Sequence, residues 1–218
     1  MTIPPRLVEG WRGFRHTRFR RERDHYARLA EAGQTPTTLM IACVDSRVAP
    51  EVVFDADPGE MLVVRNVANL VPPYEEGGGY HGTSAAIEFA VRVLRVAHVV
   101  VMGHALCGGV RAFRENALAG TDAAGGNFIV RWMEILRPAT GLVCDAPDPL
   151  ADQGAMELAG IRQSLANLRT FPWLAARERA GLLALHGIWF DVADGALRAL
   201  DEETGSFVTI EGATIASP

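Results

Sequence analysis

The chain has 218 residues, of which 49% are hydrophobic and 22% are charged, a balance typical of globular proteins and unlike that of disordered chains. The net charge of −5 argues against a nucleic-acid partner. The most apolar stretch, residues 91–102, is interrupted by Arg92, Arg95 and His98, which argues against a membrane span. Three cysteines are an odd and small number for a disulfide framework, so we predict a reducing, cytoplasmic location.

The N-terminal segment, up to about residue 33, is polar with spaced apolar residues. This spacing predicts amphipathic helix, which ends at the turn-forming residues 33–36. Its arginine-rich part, residues 12–23, also carries acidic residues and no apolar core, so we interpret it as neither an import nor a secretion signal. We expect this N-terminal helical arm to pack on a partner subunit and residues 1–218 to form a single domain.

Short apolar runs after the arm predict the strands of a sheet. Runs with little alternation predict parallel strands that are buried on both faces, and two late runs around an acidic, glycine-containing turn predict a hairpin. The predicted strands are residues 38–43, 61–64, 98–102, 181–192, 196–200 and 206–210.

Helical segments separate the predicted strands. One helix is expected after Gly82-Thr83-Ser84, which we expect to cap it. Others are expected after the turn at residues 103–109, near residues 127–136 and near residues 149–168. Helices that alternate with short apolar strands predict an α/β fold with a mainly parallel sheet flanked by helices. The late hairpin predicts an antiparallel C-terminal edge.

Cysteine and histidine residues follow two of these strands. Cys43 ends the first apolar run, and His104 and Cys107 follow the third. Because the carboxyl ends of parallel strands share one edge of a sheet, the three side chains can converge on one ion. Two thiolates and one imidazole suit Zn²⁺ and leave a fourth position for water, whose pKa the ion lowers toward about 7. Alone, this short pattern is also compatible with a buried structural cysteine.

A charged pair stands beside the first of these cysteines. Asp45 and Arg47 follow Cys43 at a strand end that should be buried, where an isolated carboxylate is costly and the arginine fork can hold it. A carboxylate held in this way stays ionised and keeps a lone pair for a proton-bearing group at the metal. The alternative is a salt bridge that only caps the strand.

Together, these segments resemble the signature of the β-class carbonic anhydrases. The motifs are Cys43-x-Asp45-Ser46-Arg47 and Gly103-His104-x-x-Cys107-Gly108-Gly109, and the likeness runs from about residue 34 to residue 207. The loop at residues 68–74 is similar to that of the plant-type subclass. The resemblance implies a lyase, a carbonic anhydrase that reversibly hydrates carbon dioxide to bicarbonate and a proton.

The resemblance also implies roles for individual residues. Cys43, His104 and Cys107 would bind zinc, and zinc-bound hydroxide would attack CO2. Asp45 would accept the hydrogen bond of the hydroxide, and Arg47 would orient Asp45. The implied substrate-binding residues are Gln34, Gly108, Leu62, Val67 and Phe89. In plant-type members the glutamine reaches the neighbouring subunit's site, which implies a homodimer or homotetramer.

The resemblance further predicts the state of the metal site. In the subtype that bicarbonate regulates, a tryptophan and a tyrosine help to hold a second bicarbonate near an arginine. Those two positions are Met40 and Phe190 here, whereas the arginine is retained as Arg65. Because two donors are lost, we expect an open site in which Asp45 pairs with Arg47 instead of binding the metal.

Three other functions remain open at this stage. Relatives with this fold hydrolyse carbon disulfide or carbonyl sulfide, and the metal site alone would not distinguish them. Residues 103–109 follow a strand and open a helix, as in nucleotide-binding loops, but lack the P-loop lysine. A zinc-stabilised binding module would normally have a fourth cysteine or histidine, and none is evident.

The other histidines and the last cysteine have less defined roles. His81 and His98 are candidates for a proton relay, and His186 is expected to be a core histidine. Cys144 lies in a loop-like stretch and is interpreted as a spectator.

Overall fold

One sheet organises the chain. The computed structural model describes residues 3–77, 79, 81–115, 128–143 and 152–210, and six strands within them form the sheet. The strands are β1 (Thr38–Cys43), β2 (Met61–Asn66), β3 (His98–His104), β4 (Ala184–Phe190), β5 (Leu197–Asp201) and β6 (Ser206–Thr209). Their order is β2-β1-β3-β4-β5-β6. Neighbours from β2 to β4 are parallel, and β5 and β6 are antiparallel, which confirms the predicted fold class.

Helices cover the sheet and precede it. They are α1 (Pro5–His16), α2 (Arg18–Arg21), α3 (Arg23–Ala32), α4 (Pro50–Val53), α5 (Gly82–Glu88), α6 (Gly108–Arg114), α7 (Phe128–Met133), α8 (Gln153–Leu168) and α9 (Pro172–Arg179). Short 3₁₀ segments lie at Val67–Asn69 and Glu134–Leu142, and a π-helical turn lies at Phe89–Val93. In the described part of the chain, no helix has the length and apolarity needed to cross a membrane.

The N-terminal arm is helical, as predicted, and α1, α2 and α3 bury none of their residues. Few contacts connect the arm to the sheet region: the His25 ring lies 2.7 Å from the Pro58 carbonyl oxygen, and Arg18 pairs with Asp57. The apolar face of α1 remains exposed, with Leu7 63% and Trp11 54% accessible. Packing of the arm on a partner subunit stays a prediction.

Helix α8 lies directly on the parallel strands and fixes the geometry near their carboxyl ends. A Cβ at Gly103 would lie 2.7 Å from Ile161, and a Cβ at Gly187 would lie 2.8 Å from the same side chain. Glycine at both positions therefore lets the helix approach the sheet more closely than any other residue would allow. Ile161 itself is fully buried, so α8 and the sheet form one packed unit.

Several sequence-based predictions differ from the structure in detail. Strand β2 is only half-buried along its length, because it forms the edge of the sheet rather than an interior strand. Helix α5 has no side-chain cap because it begins at Gly82, with His81 at the cap position; Thr83 lies in the first turn and accepts a hydrogen bond from Asn66. His186 is exposed, and its ring contacts that of His98 at 3.1 Å rather than packing in the core. Cys144 and the ends of two predicted helices, Asn127 and Pro149, lie outside the described residues.

Candidate metal centre

Three soft or borderline ligands converge at the carboxyl ends of adjacent parallel strands. Cys43 ends β1, His104 ends β3, and Cys107 immediately precedes α6. All three residues are buried, and their ligand atoms lie within 4.8 Å of one another. The two sulfur atoms are 3.9 Å apart. The convergence that the sequence predicted for these three side chains is therefore present.

A tight reversal between β3 and α6 brings His104 and Cys107 together. Leu106 has a left-handed backbone with φ of 57°, a conformation that costs energy for a branched residue. The Ala105 N–H donates to the Phe190 carbonyl on β4, so the neighbouring strand anchors the turn. This arrangement lets the chain turn back within three residues.

The His104 ring has a defined orientation. Its Nδ1 lies 2.8 Å from the Ala105 carbonyl oxygen, so Nδ1 carries the proton and donates it there. The Nε2 atom then has a free lone pair, and it is buried without a hydrogen-bond partner among the described residues. An unpaired buried nitrogen is rare in folded proteins, and a carbonyl that accepts the proton of the other ring nitrogen is common for a metal-binding histidine.

The thiols and the imidazole influence one another's protonation. The hydrogen bond with Cys107 lowers the pKa of Cys43, and the same contact, together with burial, raises the pKa of Cys107. Burial lowers the pKa of His104, but Cys43, the Ala105 carbonyl and Asp45 together raise it above its usual value. Two thiolates this close repel each other, and a divalent cation removes that repulsion.

The Asp45 carboxylate is held by Arg47 in the pairing that the sequence predicted. Arg47 donates from Nε to Oδ1 at 2.9 Å and from Nη2 to Oδ2 at 2.7 Å, and its backbone N–H donates to Oδ1 at 3.0 Å. These bonds hold the pKa of Asp45 far below its usual range. The pair is less buried than expected, because Asp45 is half-buried and Arg47 is exposed.

Two further arginine contacts fix the loop that carries Asp45. Arg47 Nη2 also donates to the Leu106 carbonyl at 3.2 Å, which links the loop to the turn before Cys107. Arg65 donates to the backbone carbonyls of Cys43 and Asp45. The Arg65 guanidinium thus holds the backbone that carries Cys43 and Asp45, which we call the ligand loop.

One buried residue of the centre was not predicted from the sequence. Glu157 on α8 is 4% exposed, and its Oε1 accepts the backbone N–H of Cys107 at 2.9 Å. Gln153 Nε2 donates to the same oxygen at 2.9 Å, and Trp189 Nε1 donates to Oε2 at 3.1 Å. Glu157 is far from Cys107 in sequence, so the only signal is an acidic residue within an apolar helix.

A cleft of about 560 Å³ adjoins the ligand loop. Val44, between Cys43 and Asp45, lines this cleft together with Val67 and Trp132. The Trp132 indole N–H donates to the Val67 carbonyl at 2.8 Å, which fixes one wall. The cleft is therefore largely apolar, and Val44 connects it to the neighbouring residues Cys43 and Asp45.

The other predicted substrate-binding residues are placed differently. Gly108 is the first residue of α6 and is exposed next to Cys107. Gln34 lies exposed in the coil before β1, Leu62 packs against the core from β2, and Phe89 is 47% exposed. Within the described residues, only Val67 of the substrate-binding set lines this cleft.

The two histidines considered for a proton relay lie in different parts of the structure. His81 lines the cleft. His98 begins β3 whereas His104 ends it, which places them about 20 Å apart along an extended strand. A relay through His98 within one chain is therefore wrong.

Comparisons with known proteins agree with this geometry. The profile of the family described as carbonic anhydrase matches residues 38–197. The chain is 38% identical over 184 residues to a protein of Arabidopsis thaliana named beta carbonic anhydrase 5, chloroplastic, and this match covers 83% of the chain and 59% of the relative. The chain thus spans less than two thirds of that relative's length.

Solved structures of similar proteins share the fold. The beta-carbonic anhydrase CcaA is 30% identical, with a TM-score of 0.84 over 95% of this chain and 92% of that one. One of two tetrameric beta-carbonic anhydrases from Sordaria macrospora is 25% identical, with a TM-score of 0.74 over 93% and 96%. Both likenesses extend over nearly the whole chain.

Proposed function

Because the chain belongs to the β-class carbonic anhydrase family, we propose that it is a zinc-dependent enzyme that reversibly hydrates carbon dioxide to bicarbonate and a proton. The proposed ligands are Cys43, His104 and Cys107. The observation that carries the proposal is the free, buried Nε2 of His104 beside two thiols, with an arginine-held carboxylate next to them.

The donor set fits zinc in both chemistry and size. Thiolate sulfurs bind zinc at about 2.3 Å, so tetrahedral coordination separates two of them by about 3.8 Å. The sulfur atoms of Cys43 and Cys107 are already 3.9 Å apart. When bound there, zinc supplies the Lewis acidity that makes water a nucleophile at neutral pH.

The chain's own residues hold and orient the reactants. Arg47 occupies both oxygens of Asp45 and keeps the carboxylate ionised. A remaining lone pair of Asp45 can accept a hydrogen bond from water, which orients the water oxygen toward CO2. A half-buried site strengthens this hydrogen bond because there is less competition from bulk water.

The cleft supplies the binding surface for a small apolar substrate. Its valine and tryptophan walls suit CO2, and the Gly108 N–H at the start of α6 is the proposed donor to bicarbonate. Leu62 and Phe89 are proposed to line the substrate path, together with Val67. Gln34 is exposed away from the cleft of its own chain, which supports a role in the site of a partner subunit.

Self-association as a homodimer or homotetramer is part of the proposal. The apolar side chains left exposed, such as Phe89 at 47% and Val93 at 62%, provide area for a partner. The Sordaria macrospora relatives are described as tetrameric. The cytoplasmic location stays a prediction, since the Arabidopsis relative is named chloroplastic.

The direct test is stopped-flow CO2 hydration by the full chain, with zinc quantified in the same sample. We expect one zinc per chain and activity that is lost on chelation and restored by zinc. Cys107→Ser should lose the metal, whereas Cys144→Ser, outside the proposed ligand set, should keep it. Zinc-loaded protein that hydrolyses carbon disulfide but does not hydrate CO2 would refute the proposed reaction.

A further inference from the structure

A buried carboxylate lies behind the metal centre and outside its proposed ligand set. Three donors converge on Glu157, and all three are neutral groups: the Cys107 N–H, the Gln153 amide and the Trp189 indole. None of the ion pairs within the described ranges includes it. A buried anion without a cationic partner is costly, so its position calls for an explanation.

Two side chains of α8, Glu157 and Gln153, bind the backbone of one residue, Cys107. Oε1 accepts the N–H of Cys107, and Gln153, which also donates to that oxygen, donates in turn to the Cys107 carbonyl at 3.2 Å. Both backbone polar groups of Cys107 are thus bound from α8. We call these two hydrogen bonds to the Cys107 backbone the clamp. The clamp sets the direction of the Cys107 side chain, because the backbone fixes the Cα–Cβ bond.

The clamp is rigid because α8 is itself immobilised on the sheet. Ile161, one turn after Glu157, packs where Gly103 and Gly187 leave room. Trp189 on β4 binds the second carboxylate oxygen. Helix α8 therefore connects the sheet to the strained turn at Leu106.

We propose that Glu157 is a positioning residue for the metal centre, which fixes Cys107 for the ion and contributes a buried negative charge that favours a cation at the ligands. This inference rests on the proposed zinc site. Residues that orient metal ligands from outside the coordination shell typically change metal affinity by about 10- to 100-fold when they are altered. Glu157 belongs to this class by contact, and its charge adds a Coulomb attraction across a poorly screened interior.

The test compares two variants that differ only in this charge. Glu157→Gln keeps one acceptor oxygen but turns an amide N–H toward the Trp189 N–H, so the comparison is made in a Trp189→Phe background. Zinc affinity of the full chain is measured by competition with a chromophoric chelator, and the melting temperature is measured with and without zinc. Ser164→Ala is the matched control, since it removes a buried polar contact of α8 with the loop at Asn69 and Val71.

We expect the zinc dissociation constant of Glu157→Gln/Trp189→Phe to exceed that of Trp189→Phe by about 10-fold or more. The rise in melting temperature that zinc produces should shrink with it. Ser164→Ala should lower the melting temperature equally with and without zinc and leave the affinity unchanged. An affinity within twofold of Trp189→Phe, with equal losses of melting temperature in both states, would overturn the proposed contribution of the Glu157 charge.

Two further measurements separate the possible failures. Gln153→Ala removes half of the clamp and tests the positioning of Cys107 separately, whether or not the double variant folds. A threefold or larger loss of zinc affinity in that variant supports the inference, and an unchanged affinity overturns it. If the unaltered chain binds no zinc, or Cys107→Ser binds it equally well, the proposed function fails before Glu157 is tested.

Discussion

At the residue scale, metal binding by the proposed ligands and the proposed action of Asp45 on water can be tested separately. Arg47 binds both Asp45 oxygens, whereas the metal-type cluster consists of Cys43, His104 and Cys107. In the proposed mechanism, Asp45 acts on water without holding the ion. Its chemical contribution should be removable while the metal remains.

Asp45→Asn should retain zinc and lose about 100-fold or more of the CO2 hydration rate. The amide keeps the size of the side chain, but it loses the charge and one of the acceptor oxygens that Arg47 holds, and general acid–base groups contribute about 10²- to 10⁴-fold. Stopped-flow rates with zinc content on the same sample measure both effects. Asp194→Asn is the control, because Asp194 is exposed and accepts the Ala196 N–H in a turn after β4. Equal rates in Asp45→Asn and the unaltered chain would refute the role of Asp45.

The contact between His98 and His186 gives a pH-dependent stability of definite sign. Desolvation and the neighbouring His98 lower the pKa of His186 from 6.5. The unfolded chain therefore binds more protons than the folded chain as the pH falls through about 6.5, and stability decreases there. Above that range both states are neutral at this site, and the effect vanishes.

His186→Gln should accordingly lose less stability between pH 8 and pH 5.5 than the unaltered chain. Denaturant unfolding at both pH values gives the two differences in the free energy of unfolding. His16→Gln, on the exposed arm, is the matched control and should behave like the unaltered chain. If His186→Gln has the same pH dependence as the unaltered chain, the histidine pair does not couple to folding.

At the element scale, α8 packs closely on the sheet beside the end of β3, which carries His104. Gly103 precedes His104, and a Cβ there would meet the Cδ1 of Ile161 at 2.7 Å. Gly103→Ala should therefore lower the free energy of unfolding by about 1–3 kcal/mol, as overpacked cores do. Chemical denaturation measures this loss, and Gly13→Ala, where nothing lies within 4 Å, is the control.

A second substitution distinguishes this clash from a general loss of backbone freedom. Ile161→Val removes the Cδ1 atom and alone should cost about 0.5–1.5 kcal/mol. In the double variant, the total loss in the free energy of unfolding should be smaller than the sum of the two single losses, because substitutions at contacting residues are not additive. Strict additivity would mean that Gly103 is not required for the packing of α8.

The same elements show what a sequence pattern can and cannot predict. The apolar runs of β1 and β3 indicated parallel strands, and that topology alone brought Cys43 and His104 to one edge. Edge position is a property of the assembled sheet, so the half-burial of β2 was not predictable from its apolar run. Glu157 escaped prediction for a related reason: its partners Cys107 and Trp189 lie 50 and 32 positions away in the chain. Local periodicity carries no information about such contacts.

At the scale of the whole molecule, the proposed self-association can be tested through an exposed glutamine and an exposed apolar arm. Gln34 lies outside the cleft of its own chain, while α1 leaves Leu7 and Trp11 accessible. If Gln34 binds substrate in the partner's site, each site takes Asp45 from one chain and Gln34 from the other. Subunit mixing can therefore separate the two contributions.

Gln34→Ala should raise KM for CO2 by about 3- to 10-fold, the effect of one lost hydrogen bond. A mixed dimer pairs one Gln34→Ala chain with one Asp45→Asn chain. One of its sites then contains the intact Asp45 of the Gln34→Ala chain and the intact Gln34 of the Asp45→Asn chain. That site should recover the KM of the unaltered protein, at half the activity per zinc. Differently tagged chains, purified in tandem and assayed by stopped flow, measure this recovery. If Gln34 acts within its own chain, the mixed dimer retains the raised KM, because its only chain with an intact Asp45 still lacks the glutamine.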